Sequence, residues 1–165
     1  MSMEEKFLKT FKQEHQVILD NLLKLRGAVQ AGDSAEAERL VNTLDDVMGP
    51  HFKIEEVSLY PMLKDYLGEE NVRKLLKEHA GAVEAMHALK KNAGKTDWLK
   101  ANGKDVMKTM QGMFMHVTSC DGLSIIIERF PQSKKLELAA KLDEVYAKKE
   151  PLTVWRKTPG EYAKI

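Results

Sequence analysis

FLKTFKQEHQVILDNLLKL, residues 7–25, places Leu8, Phe11, Ile18, Leu22 and Leu25 at intervals that fall on one face of a helix. His15 completes that series, three residues before Ile18 and four after Phe11. The spacing predicts a helix from about residue 3 to 31 with Gly32 near its end. It also places an imidazole within an apolar stripe.

The same period recurs along the chain. A second helix is expected from Ser34, an N-cap candidate with Glu36 and Glu38 in the first turn, carrying Ala37, Leu44, Val47 and Met48 inward and continuing through His51 and Glu55 towards Met62. Gly49-Pro50 interrupts it, and the missing proline N–H predicts a kink or a widened turn beside His51 and Glu55. A third helix is expected over 70–92, with Val72, Leu75, Leu76, Val83, Met86 and Leu89 in one stripe with His79, and with His87 about 80° away. NAGKTDWLKANGK, residues 92–104, is the expected long loop. Beyond it a fourth helix carries Val106, Met110, Met113, Val117 and Ile127 on the face of His116 and Cys120.

Pro131 ends that helix, and residues 133–149 have the spacing of a short fifth one. Residues 151–165 read as an ordered, irregular tail docked by Trp155 and Tyr162. Strand signals are nearly absent and no internal repeat stands out. The expected class is all-α: an up-and-down antiparallel four-helix bundle over residues 1–130, with the short extra helix and tail of 131–165 packed on the same domain.

Composition narrows the function classes. Lys plus Arg number 26 against 25 Asp plus Glu, interleaved, which argues against a nucleic-acid or anionic-membrane surface. Cys120 is the only cysteine, so an internal disulfide framework and a cysteine-rich zinc site are excluded. The opening MSMEEKFLKTFKQEH lacks the apolar core of a secretion signal, and no uncharged apolar run reaches spanning length. The expected location is cytoplasmic.

One histidine in an apolar stripe is ordinarily a core residue satisfied by a backbone or side-chain partner. Here four of the five fall one per helix in four stripes. Burying several imidazoles together leaves many ring nitrogens in need of partners, and a metal satisfies them at once by accepting a lone pair from each neutral ring. His51 and Glu55, at i and i+4, stack on one helix face as two ligands of one site would. A set of imidazoles and carboxylates without thiolates suits iron or manganese, with zinc less favoured. The methionines at 107, 110, 113 and 115 read as packing, and Glu56 and Lys53 as solvated surface charges.

EH at 14–15, HFKIEE at 51–56, LYP at 59–61, KEH at 77–79 and HVTSCD at 116–121 together resemble hemerythrin and its HHE-domain relatives over roughly residues 8–127. That resemblance implies two non-haem iron ions, oxo- or hydroxo-bridged, held by His15, His51, Glu55, His79, His116 and Asp121, with Glu55 bridging. Two features depart from the family pattern. Hemerythrins proper carry a third-helix His-x3-His pair, whereas position 83 is valine; Glu56, Glu78, Tyr60 or His87 would have to fill the gap. In addition, five residues advance a helix about 500°, so Asp121 lies well off the direction of His116 while Cys120 lies close to it. The family spacing favours Asp121, with Cys120 as an inert buried neighbour.

The resemblance implies reversible binding of O2, for carriage, storage or sensing, with NO as a second small ligand. Two other classes compete: a di-iron enzyme acting on peroxide, O2 or NO, and an iron- or O2-sensing regulatory module using the C-terminal extension. A protein partner is left open.

Overall fold

A computed structural model describes residues 2–157, and every described element is helical. Tyr162, expected to dock the tail, lies outside the described residues. Helix α1 spans Met3–Ala31. Its start is a capping box in which the Ser2 hydroxyl accepts from the Glu5 N–H and the Glu5 carboxylate accepts from the Ser2 N–H. Gly32, at φ 69°, ends it in the left-handed region that glycine adopts without steric cost. Phe7, rather than Leu8, is fully buried at its first turns.

Helix α2, Ser34–Ile54, is capped by Asp33, whose carboxylate accepts from the Glu36 N–H; Ser34 is its first helical residue and not its cap. Pro50 remains within the α-helix. The widened turn appears just beyond, as a π-helical turn over Glu55–Leu59 in which the Tyr60 N–H donates to the Glu55 carbonyl. Helix α3, Tyr60–Leu67, continues directly from it. The extra residue in that turn sets the register back, so Glu55, Glu56, Leu59 and Tyr60 are all buried.

Helix α4 is Glu69–Asn92 and α5 is Thr96–Asp121. The loop expected at 92–104 is therefore a short connection, and most of that segment is helix. Leu99 reaches the core from it and Trp98 packs against that core, and tertiary burial outweighs the roughly 1 kcal/mol that a helical glycine such as Gly103 costs. A helical turn α6, Ser124–Ile127, leads to α7, Gln132–Lys148, and α8, Leu152–Trp155, a turn of helix where an irregular tail was expected.

Helix α1 packs on α2 and α5, and α4 packs on α2 and α5, so the four long helices close a ring; α7 covers α1 and α2, and α8 lies on α2 and α4. Gly49 permits the last contact, because a Cβ there would stand 2.0 Å from the Glu150 carbonyl oxygen. The interior has two apolar clusters. One gathers Ile18, Leu22, Leu44, Met48, Val83, Met86, Met110 and Met113; the other gathers Phe7, Phe11, Leu59, Leu63, Leu76 and Leu142. Each fully buried Leu, Met or Phe contributes about 1.5–3 kcal/mol, so the bundle rests on these two layers. Each long helix passes from one layer to the other at its histidine.

Candidate metal centre

His15, His51, His79 and His116 are all buried, and Glu55 stands among them with no exposed surface. Every imidazole turns Nε2 towards the centre and Nδ1 towards a carboxylate. His51 Nδ1 lies 3.0 Å from Glu14, His79 Nδ1 3.0 Å from Glu56, His116 Nδ1 2.8 Å from Glu78, and His15 Nδ1 3.2 Å from Asp121. A carboxylate accepts from an Nδ1–H, which fixes the tautomer and leaves the Nε2 lone pair facing inward.

Those lone pairs converge. His79 Nε2 is 3.0 Å from His116 Nε2 and 3.1 Å from Glu55 Oε2; His51 Nε2 is 3.6 Å from Glu55 Oε2, and His15 Nε2 is 4.0 Å from Glu55 Oε1. The buried His15 Nε2 and Glu55 Oε2 make no hydrogen bond. Two imidazole lone pairs facing each other across 3.0 Å repel unless a proton or a cation stands between them, and orphaned buried polar atoms are costly. The donor set therefore fits a cation. Among the described residues two groups have the required proximity, His15 with Glu55 and Cys120, and Glu55 with His79 and His116, the donor atoms of each lying within 4.8 Å of one another. Donors that share one cation stand about 3–4 Å apart.

Electrostatics follow the same division. Burial, reinforced by neighbouring His51, pulls His15 down to about 4, and burial lowers His116 despite Glu78 beside it. Burial also works against charge on His51 and His79, but Glu55 with Glu14, and Glu55 with Glu56, outweigh it and raise both. Burial would push Glu55 up, yet the surrounding imidazoles hold its carboxyl far below the usual carboxylate range. Burial and the nearby Glu55 charge raise both Tyr60 and Cys120.

Five of the six residues singled out in the sequence converge. The sixth, Asp121, does not join them: its side chain is half exposed and sits on the outer nitrogen of His15. Helix α5 stays regular through position 121, so the i+5 residue turns away and the i+4 residue, Cys120, turns inward. The Cys120 Sγ–H donates to Glu55 Oε1 at 2.8 Å.

Glu56, expected on the surface, is buried and holds both His79 and Arg156; the π-turn carries it inward. Lys53 pairs with Glu150 and lies 5.8 Å from the Trp155 ring. Of the residues considered for the place left by Val83, Tyr60 reaches the centre, with its hydroxyl 2.9 Å from His79 Nε2. His87 does not, since its ring bonds the Arg156 carbonyl. Phe52 stacks on His79 with centroids 3.7 Å apart, and the Phe11 ring meets His15 at 4.3 Å, walling the centre with apolar rings. Cavities of about 340 Å³ between α4 and α5, bordered by Gly81, Gly112 and His116, and about 240 Å³ between α1 and α5, bordered by Leu19, Val117 and His15, open from outside onto those two rings.

The roles of Glu14, Glu56, Glu78 and Arg156 were not read from the sequence. A usable signal was the glutamate immediately before a histidine at 14–15 and 78–79, because neighbours in sequence point apart on a helix and so serve different partners.

A helical bundle that turns imidazole and carboxylate donors into its own core belongs to the class of cation-binding helical proteins. The chain matches the hemerythrin HHE cation binding domain over residues 6–118, and it belongs to that family. Neither the curated proteins nor the solved structures contain a significant match to it. No helix among the described residues is long and apolar enough to cross a membrane.

Proposed function

We propose that the chain is a non-haem di-iron protein that binds O2, or NO, in the core of an up-and-down antiparallel four-helix bundle. Residues 1–130 make up the bundle, the segment from 131 covers it on the same domain, and the lone thiol suits a reducing, cytoplasmic setting. His15, His51, Glu55, His79 and His116 would hold the metal, with Glu55 between the two positions and Asp121 orienting His15. When bound, ferrous ions would supply the electrons that let the pocket take up and release O2.

The observation that carries this reading is the inward convergence of four Nε2 lone pairs on Glu55, each ring held from behind by a carboxylate. The carboxylates accept from Nδ1–H, which fixes the rings in direction and strengthens each Nε2 as a donor. Phe11 and Phe52 limit access by water, and the small cavities beside His116 and His15 suit an uncharged diatomic better than a bulky or charged substrate.

A regulatory reading has its own support in Arg156, which reaches from beyond α8 to Glu56 and so touches the residue that holds His79. The two readings separate when anaerobic metal analysis, with absorption spectra before and after O2 is added and removed, is joined to limited proteolysis of the same samples. Close to two irons per chain with a reversible spectral change supports O2 binding. Iron uptake that changes the protease sensitivity of the C-terminal segment, without a reversible O2 spectrum, supports the regulatory reading. A fully loaded sample with one zinc and no iron overturns both.

A further inference from the structure

We propose that Cys120 is a metal ligand through its thiolate, and that with His15 and Glu55 it completes one of two unlike cation positions that share Glu55. This rests on reading the core as a cation centre. Cys120 lies one turn beyond His116 on the inward face of α5 and has no exposed surface. A buried cysteine among apolar side chains is inert packing. This one faces a carboxylate oxygen at 2.8 Å and the Tyr60 hydroxyl at 3.7 Å.

The independent observation is His15. Its Nε2 is buried, makes no hydrogen bond, and points to the same Glu55 oxygen that accepts from the thiol. Nitrogen, oxygen and sulfur thus surround one point, and the thiol proton lies on the line between two of them. Binding a cation there breaks the S–H bond and releases the proton to the buffer, while the sulfur lone pair and the freed Glu55 Oε1 bind the metal. No electron changes hands.

The other group, Glu55 with His79 and His116, offers nitrogen and oxygen alone. A thiolate makes the first position the softer of the two, so the two positions differ in their preference among divalent metals.

The test is an anaerobic titration of the full-length protein with Co2+, following near-ultraviolet absorption, proton release and equivalents bound. Two equivalents are expected, one of them producing a thiolate-to-cobalt charge-transfer band together with a released proton. Cys120→Ser should abolish the band, keep the helical circular dichroism, and weaken one equivalent by about tenfold or more, since losing even an outer-shell partner costs that much. If the variant fails to fold, the band in the unaltered protein decides the matter. Two equivalents bound without the band overturn Cys120 as a ligand and leave the centre standing; no cobalt binding at all overturns both.

Discussion

Glu14 accepts a hydrogen bond from His51 on the neighbouring helix at 3.0 Å, and not from His15, the residue next to it in the chain. The arrangement repeats around the bundle. Glu14 of α1 serves His51 of α2, Glu56 of the following π-turn serves His79 of α4, Glu78 of α4 serves His116 of α5, and Asp121 of α5 serves His15 of α1. Each long helix thus orients the ring of the next, and the circuit closes.

Glu14→Gln tests one link of this circuit. The amide oxygen still accepts from Nδ1–H but without charge, so His51 becomes a weaker donor at Nε2. Metal affinity should fall about 10-fold, within the usual range for such partners, with unchanged circular dichroism. Competition against a chromophoric chelator measures it, and an unchanged affinity would remove Glu14 from the site.

His51→Ala separates folding from metal binding. The two apolar layers carry the fold and the imidazole faces the donor cluster, so the variant should remain helical while holding less metal. Circular dichroism and metal analysis of the same sample check both halves. Unfolding of the variant, with no metal bound by the unaltered protein, would make His51 a core residue.

Chelation should lower thermal stability. A cation at 100 times its Kd adds about 2.7 kcal/mol, which for a chain of this size corresponds to roughly 5–10 °C in Tm. Scanning calorimetry with and without chelator should show a shift of that order, and the shift should shrink in the His51 variant.

Arg156→Gln probes the C-terminal contact. Glu56 is fully buried and the guanidinium stands 2.9 Å from it, so the neutral side chain leaves a buried carboxylate poorly compensated. The expected loss is up to about 3 kcal/mol by denaturant titration. Because Glu56 also holds His79, its uncompensated charge makes that ring the stronger donor and a positive charge leaves the neighbourhood, so cation affinity should rise; a loss of stability with unchanged affinity would confine Arg156 to a structural role.

The sequence by itself determined what belongs to single helices. Apolar period places His15, His51, His79 and His116 in the core, and the i, i+4 spacing puts Glu55 beside His51, because a regular helix fixes the relative direction of such residues whatever surrounds it. It also located the disturbance near Pro50. The tertiary structure decided everything that depends on how two helices are turned against each other. Which carboxylate stands behind which ring is a relation across helices, so the partners of Glu14 and Glu78 are settled only once their neighbours are in place. The π-turn at Glu55–Leu59 changes the register of all that follows it, which is why Glu56 is buried and Tyr60 reaches His79. The segment 92–104 is mostly helix because Leu99 finds a core to enter and Trp98 packs against it. At the end of α5 the chain offered Asp121 by family spacing and Cys120 by helix geometry. Regular hydrogen bonding through position 121 turned the thiol inward and left the carboxylate outside, on His15.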